Sequence, residues 1–287
     1  MLTTVLSEVK GLVDKRFLLS SFFPVLLFAF GADLLIASAH RGIDNQIKSW
    51  NGYSGVVQAI IAVGGLAAVL LVAAVVSSCS ILITQLYEGY FGPKMLKDRW
   101  TKHQDERKTK TPGNRELRFP TNNLQPTALG NVLRAAEEYP ERAYGASVVV
   151  VWPRLFLVLP AELLLSASGP ADTIQFLLNT SLLATMFAVL GGSYAAFESL
   201  GAASYVAALV GGVVVARLAY RGAVEAAIAY GLHIRGAFDL HRNDLLLKLR
   251  WAMPTSRDEE LRTWRDVSDR LRRGEPKPVR YVAPPTK

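Results

Sequence analysis

Cysteine and histidine are both scarce in this sequence. The single cysteine, Cys79, cannot form a disulfide within the chain, and its apolar surroundings favour a packing role. Of the four histidines, His233 and His241 lie about two helical turns apart. A metal site needs three or four convergent ligands, and the nearby carboxylates fall on other faces of the same predicted helix. We therefore predict neither a metal site nor a cofactor.

Sequence motifs of catalysis are also lacking. The chain has no nucleophile elbow, phosphate-cradling glycine loop, zinc-binding helix motif or dinucleotide-binding fingerprint. This absence argues against an enzyme without excluding one. A membrane enzyme acting on lipid headgroups would have to bring Arg154, Glu162 and His241 into one pocket, and this reading stays an alternative.

Long apolar blocks are what the sequence does contain. Hydrophobic residues make up 51% of the chain. They collect in long blocks, and a helix needs roughly 20 apolar residues to cross a bilayer. Strongly charged stretches lie between the blocks. This pattern predicts an all-α polytopic membrane protein with four transmembrane helices and further amphipathic or cytoplasmic helices. The four blocks are Phe17–Ala39, Val56–Leu86, Thr173–Leu190 and Leu200–Tyr220.

The blocks divide the chain into six predicted parts. Three precede the third transmembrane helix: an N-terminal amphipathic helix (1–16), transmembrane helices one and two (17–86), and a cytoplasmic loop region (87–172). Three follow: transmembrane helices three and four (173–220), a cytoplasmic helical region (221–273), and a disordered tail (274–287).

One segment of the loop region, residues 147–167, is apolar enough to cross a bilayer but contains charges and prolines. Arg154 and Glu162 would be costly at the centre of the hydrocarbon. Pro153 and Pro160 would each interrupt the hydrogen bonds of a helix. We expect a broken segment that is interfacial, re-entrant or packed on the cytoplasmic side.

Two helices are predicted outside the membrane, besides a charged connector. One runs from Thr127 to Tyr139 and is stopped by Pro140. The other begins at Ser256, whose spacing to Glu259 is that of a capping box. Its apolar stripe consists of Leu261, Trp264, Val267 and Leu271. The stretch Lys94–Arg118 is rich in charge, and we expect it to be a solvated connector.

The distribution of basic residues predicts the orientation. Residues 40–55 and 191–202 carry 2 Lys or Arg between them, whereas residues 87–154 carry 12 and residues 221–287 carry 14. By the positive-inside rule, the large loop and both termini are cytoplasmic. The net charge of +8 would then meet anionic lipid headgroups. No basic–aromatic module indicates nucleic-acid binding.

Polar residues within the apolar blocks are candidates for a pore or ion path, because such groups are costly at membrane depth. They are Asp33, Asn179 and Thr180. Asp33 could instead lie hydrated near the end of its span or pair with Arg41. Asn179 and Thr180 could instead form hydrogen bonds between helices, which is the commoner use of such side chains.

A set of small residues in the fourth block favours close helix packing and helix association. Its members are Ala207, Ala208, Gly211, Gly212 and Ala216. The partner helix could be the third span of the same chain or the fourth span of another subunit.

Four segments resemble a group of bacterial, largely actinobacterial-type, membrane proteins. They are LYEGY (86–90), LGNVLRAAEEYP (129–140), VWPRLFLVLP (151–160) and AFDLHRNDLL (237–246). The resemblance implies a four-span protein of the bacterial inner membrane, and it implies no activity. All four segments are cytoplasmic and close to the membrane on the predicted topology, so we expect one polar cluster there. Its members would be Tyr87, Glu88, Arg134, Glu137, Tyr139, Trp152, Arg154, Asp239, His241 and Arg242.

Two functions fit these patterns. The favoured one is a homo-oligomeric channel-like or pore assembly, because small-residue faces and a polar third span suit subunits arranged around an axis. The alternative is a membrane-anchored scaffold or effector that docks a soluble cytoplasmic partner. In that case the face of the last helix that carries Trp264 would be the docking surface.

Overall fold

The computed structural model describes residues 15–40, 42–198 and 202–274. These residues are mostly helical, and no β-strand occurs among them. Within the described ranges, four helices are long and apolar enough to cross a membrane: Leu18–Ser38, Gly55–Ser78, Ala161–Phe197 and Ala203–Lys248. The chain is an all-α polytopic membrane protein, which confirms the predicted fold class. The predicted helix at 1–16 and tail at 274–287 fall almost wholly outside the described residues.

The helices are numbered here in chain order. Helix α1 covers residues 15–40, with a π-helical turn at Leu18–Phe22; it is followed by α2 (Ile43–Gly52), α3 (Gly55–Ser78), α4 (Ser80–Glu88), α5 (Lys94–Lys110), α6 (Arg115–Arg118), α7 (Ala128–Tyr144) and α8 (Val148–Leu155). Helix α9 is Ala161–Phe197, with a π-helical turn at Phe187–Gly191. Helix α10 covers residues 202–248, with a π-helical turn at Ala207–Gly211, and α11 is Arg257–Arg273.

Contacts between residues group the chain into two units. Unit 1 comprises the residues through Leu86 together with Asp172–Ala223, and unit 2 comprises Tyr87–Ala171 together with the residues from Val224 onward. Each division falls inside a helix, so α4, α9 and α10 all contribute residues to both units.

Unit 1 has a small apolar core. Val25 of α1, Ala73 of α3 and Leu183 of α9 are buried against one another. Ala73 is the only buried residue of α3. The other side chains of α3 are exposed or half-buried. Apolar side chains are stable in such positions when they face hydrocarbon, and a helix can lie there because its backbone polar groups bond to one another.

Unit 2 has an apolar core of its own, to which α7, α8, α10 and α11 contribute. Leu155, Phe238, Leu246 and Trp264 are completely buried in it. The amphipathic stripes of these helices therefore face one another. The expectation that Trp264 forms an exposed docking face is wrong, because the whole side chain packs inside the unit.

Helix α7 begins as the sequence predicts and ends later. The Thr127 hydroxyl accepts a hydrogen bond from the backbone N–H of Gly130 at 3.0 Å, which caps the helix. The predicted stop at Pro140 is wrong, because the helix continues to Tyr144 with the proline buried. Packing in the core of unit 2 offsets the cost of about 3 kcal/mol for a proline inside a helix.

The actual stop of α7 is Gly145, which has a φ of +80°. This left-handed conformation favours glycine. A Cβ atom at Gly145 would also lie 2.6 Å from the carbonyl oxygen of Leu261, so α11 approaches the end of α7 too closely for any side chain.

Three other local predictions have clear outcomes. Residues 94–110 form a helix whose side chains are mostly exposed, as expected for a solvated segment, and basic residues in the last turn favour that helix through its dipole. Ser256 caps α11 by accepting from the N–H of Glu259 at 3.3 Å, as predicted. The segment 147–167 is broken, as predicted, between Leu155 and Ala161. Its placement relative to a bilayer stays a prediction.

Candidate functional site

Asn179 is the centre of a buried polar group in unit 1. Its side-chain Nδ2 donates to the carbonyl oxygen of Ser20 at 2.7 Å and to the Ser21 hydroxyl at 3.3 Å. Its Oδ1 accepts from Nε2 of Gln175 at 2.9 Å. Asn179, Ser20 and Ser21 are all buried, and the serines lie in the π-helical turn of α1. The amide therefore ties α9 to α1 by hydrogen bonds between helices.

The other two candidates for an ion path lie apart from this group. The Thr180 hydroxyl donates to the carbonyl oxygen of Phe176 at 2.8 Å, a bond within its own helix. Asp33 is exposed, and its Oδ1 accepts from Nε2 of Gln46 at 3.5 Å. It is twelve residues beyond Ser21 on α1, which is about 18 Å along the helix axis. The expected alternative partner, Arg41, lies outside the described residues.

The small residues of α10 serve two different purposes. A Cβ atom at Gly212 would lie 2.8 Å from the carbonyl oxygen of Ala184 and 2.8 Å from the Cβ of Ala188, so α9 packs directly on this glycine. Ala208 is buried, and the carbonyl oxygen of Ala216 accepts from the Ser181 hydroxyl of α9 at 2.9 Å. This part of the set packs on the third span of the same chain.

The rest of the small residues line an apolar groove in unit 1. Ala207 and Gly211 face it from α10, Gly31 from α1, and Thr180 and Phe187 from α9. The groove has a volume of about 220 Å³. A Cβ atom at Gly211 would meet nothing within 4 Å. The groove is therefore open to an apolar occupant.

A network of tyrosine, aspartate and arginine joins α7 and α10 in unit 2. The hydroxyls of Tyr139 and Tyr144 both donate to Oδ1 of Asp239, at 2.8 and 2.6 Å. The guanidinium of Arg235 lies 4.8 Å above the Tyr139 ring, and that of Arg242 lies 4.1 Å above the Tyr144 ring. Burial and the bond to Asp239 raise the pKa of both phenols. The tyrosines therefore stay protonated donors.

Arg242 extends this network to α11. Its Nε donates to Oε1 of Glu260 at 2.8 Å, and both side chains are mostly shielded from solvent. The guanidinium thus bridges the Tyr144 ring and a carboxylate. An ion pair that is also hydrogen-bonded fixes geometry better than an exposed one.

A second polar group forms around α7 and the end of α4. Arg134 Nη1 donates to Oε2 of Glu137 at 3.2 Å. Burial, and then the charge of Glu137, raise the pKa of Glu88 from 4.5 to about 7. Tyr87 precedes this glutamate and is half-buried. The ionisation of Glu88 therefore changes near neutral pH.

The remaining members of the predicted cluster have different surroundings. Trp152 stacks on Phe238 at 6.3 Å between ring centroids, against the apolar core. Arg154 donates from Nη1 to the carbonyl oxygen of Val150 at 2.6 Å, within its own helix. The ten residues are therefore distributed over several groups of unit 2.

The three residues that a headgroup enzyme would use have separate surroundings. His241 binds Asp244 through Nδ1 at 2.8 Å, Arg154 is engaged by its own helix, and Glu162 is exposed in the first turn of α9. In the part of the chain that the structure describes, no group of three or more His, Cys, Asp or Glu residues could hold a metal ion.

Sequence reasoning missed the residues that complete the network. Tyr144 lies beyond the predicted end of α7, and Arg235 and Glu260 belong to none of the four segments that carry the resemblance. The usable signal for Tyr144 is its position in the last turn before Gly145, once the helix is continued through Pro140.

A basic pocket lies beside this network in unit 2, between α5, α6 and α7. Its lining includes Lys108, Arg115 and Arg142 together with the carboxylates of Glu116 and Glu138. The volume is about 220 Å³. Positive side chains from three segments of the chain thus converge on one cavity.

Comparisons of the chain with protein-family models, curated proteins and solved structures find no match. The geometry of the two units is therefore the guide to function. That geometry is of an integral membrane protein with four apolar helices and a separately cored, charge-rich helical unit.

Proposed function

We propose that this chain is a membrane-anchored scaffold or effector whose unit 2 docks a soluble cytoplasmic partner. The observation that carries the proposal is a row of exposed leucines on α10. Leu232, Leu240 and Leu247 are 50%, 72% and 56% exposed. They are separated by about two helical turns each, so they share one face of the helix.

The row lies on a helix whose other face is already used. Ile234, Phe238 and Leu245 of the same helix are buried in the core of unit 2. An additional row of large apolar side chains on the outer face is typical of a binding surface. Its geometry suits the apolar stripe of an amphipathic helix from the partner.

The stretch of α10 that carries the row is rich in charge, which disfavours its immersion in lipid. Arg235, Asp239 and Arg242 occur within the same stretch of α10. Ionisable groups at this density are costly in hydrocarbon. This supports an aqueous setting for residues 224–248, in agreement with the positive-inside orientation.

Unit 1 is proposed to act as the anchor. The polar side chains of Asn179, Ser21 and Gln175 bond to one another or to α1 and are absorbed in helix packing. Helices that are held together in this way suit anchoring better than conduction.

A second anchoring surface is proposed at the start of α5. Tyr90, Phe91, Met95 and Trp100 are exposed, and Lys94 lies among them. Exposed aromatic and basic residues together favour contact with anionic lipid headgroups at the membrane–water interface.

The second candidate function is the homo-oligomeric channel-like assembly, which the groove of unit 1 favours. Helix α3 has one buried residue, Ala73, and exposes branched side chains such as Ile60 and Val63. These could fill the groove of a neighbouring copy. Such a head-to-tail contact closes into a ring if the rotation between copies allows it.

Site-specific photo-crosslinking of the full chain in cells tests the choice. The cross-linker replaces Leu240, with Lys102 on α5 as the control position. The proposal expects one defined soluble protein to be captured from position 240 only, and expects Leu247→Glu to abolish the capture. Capture of a second copy instead would favour the oligomer. Equal capture from both positions, or none, would contradict docking at the leucine row.

A further inference from the structure

We propose that the basic pocket between α5, α6 and α7 binds a small phosphate-bearing anion. The proposal goes beyond partner docking and does not depend on it, since the leucine row plays no part in it. The proposal rests on the positive charges around the pocket, which the neighbouring carboxylates neutralise only in part.

The cations that line the pocket bond mainly to neutral acceptors. Lys108 Nζ donates to the carbonyl oxygens of Pro120 and Thr121, at 2.7 and 3.3 Å. Arg142 Nη1 donates to the Thr121 hydroxyl at 2.8 Å. A carbonyl or hydroxyl orients a cation without neutralising it, so the positive charge of both side chains persists in the pocket.

Arg115 and Arg235 add to this excess. Arg115 Nη2 donates to the carbonyl oxygens of Thr109 and Thr111, at 3.5 and 3.4 Å. Arg235 Nη2 donates to the carbonyl oxygens of Glu116 and Ala135, two residues that line the pocket, and its Nε is buried with no hydrogen-bond partner among the described residues. Its guanidinium therefore increases the positive potential behind the pocket wall.

The two carboxylates of the pocket offset little of this charge. Glu138 accepts from the backbone N–H of Thr121 at 2.7 Å and lies 3.7 Å from Arg134, a cation outside the pocket. Oε2 of Glu116 lies 3.9 Å from Nη2 of Arg142. The Glu116 side chain is 78% exposed, so water screens this ion pair. A net positive concavity remains.

The arrangement matches the donors that a phosphate group needs. Arg142 supplies a planar set of N–H donors and Lys108 a compact charge. Thr121 accepts from Arg142 through its oxygen, which leaves the hydroxyl hydrogen for an anion. The volume of about 220 Å³ exceeds the roughly 150 Å³ that accommodates a benzene molecule. A phosphate with a small organic group therefore fits.

The phosphate could belong to a soluble metabolite or to a lipid headgroup, and one experiment separates these sources. The full chain in nanodiscs of zwitterionic lipid is titrated with inorganic phosphate and with glycerol phosphate by isothermal titration calorimetry. The titration is repeated in nanodiscs that contain phosphatidic acid. Variants Arg142→Gln and Lys108→Gln test the pocket, and Lys102→Gln, which removes an exposed charge from the same helix, is the matched control.

We expect at least one probe to bind the wild-type chain, with binding weakened by salt. The affinity should fall at least about tenfold in Arg142→Gln and Lys108→Gln, and should not change in Lys102→Gln. Loss of probe binding in phosphatidic acid nanodiscs would assign the site to a headgroup, and equal binding in both would assign it to a soluble ligand. Absence of binding at millimolar probe, or equal affinity in all variants, would overturn the proposal. The thermal unfolding midpoint of each variant, measured alongside, shows that it is folded.

Discussion

Replacing Asn179 with leucine separates a packing role from a conducting one. Leucine has a similar size but removes both hydrogen bonds from α9 to α1, those to Ser20 and Ser21. It also leaves the amide of Gln175 without its bond to Asn179.

The expected loss follows from the two bonds between helices. Each interhelical hydrogen bond in a membrane protein contributes about 0.6 kcal/mol on average and up to about 1.7 kcal/mol. We therefore expect Asn179→Leu to lower the free energy of unfolding by about 1 to 3 kcal/mol. The upper end applies because Asn179 and Ser21 are completely buried, so the groups of α1 that lose these bonds have little access to water.

The assay is reversible unfolding of the full chain in bicelles, followed by helix content. Thr180→Val is the matched control, because the Thr180 hydroxyl donates to Phe176 of its own helix. That variant should change the free energy of unfolding by less than about 0.5 kcal/mol. The reasoning would be refuted by an unchanged stability in Asn179→Leu, or by equal losses in the two variants.

Three further predictions test other parts of the structure. Gly212→Ala should lower the free energy of unfolding by about 1 to 3 kcal/mol because its methyl group would overlap α9, whereas Gly211→Ala should be nearly neutral; equal effects in a denaturation series would contradict the packing. Trp264→Ala should lower it by about 3 to 5 kcal/mol, since the side chain is completely buried, and a nearly unchanged melting curve would be incompatible with that burial. The raised pKa of Glu88 means that the folded state binds its proton more tightly than the unfolded state. This group's contribution to stability is therefore greatest at low pH and falls as pH rises from 4.5 to about 7. Glu88→Gln should flatten the stability profile over that window, and an unaltered profile would show that the carboxyl group is not the cause.

The fold class could be predicted because length and apolarity alone decide whether a helix can cross a bilayer. The start of α7 at Thr127 and the cap at Ser256 could be predicted because both are set by residues close in sequence. The end of α7 could not, because packing of the buried Pro140 outweighs its local tendency to stop a helix. Local sequence carries no measure of that packing.

The polar network was only partly predictable for a similar reason. Tyr139 and Asp239 are 100 residues apart, and their hydrogen bond depends on how α7 and α10 pack. The prediction of an exposed docking face at Trp264 is wrong because an amphipathic stripe shows that a helix has an apolar face and does not show what covers that face. In this chain α11 is covered by the other helices of unit 2.

The central claim is that the spans anchor a unit which docks another protein, and native mass spectrometry of the intact chain tests it most directly. The chain is extracted from cells in mild detergent, beside the variant Leu240→Glu. We predict a complex of the wild-type chain with one soluble protein in fixed stoichiometry, which the variant loses. A closed ring of four or more identical chains without another protein, unchanged by the substitution, would contradict the claim and favour the channel-like assembly.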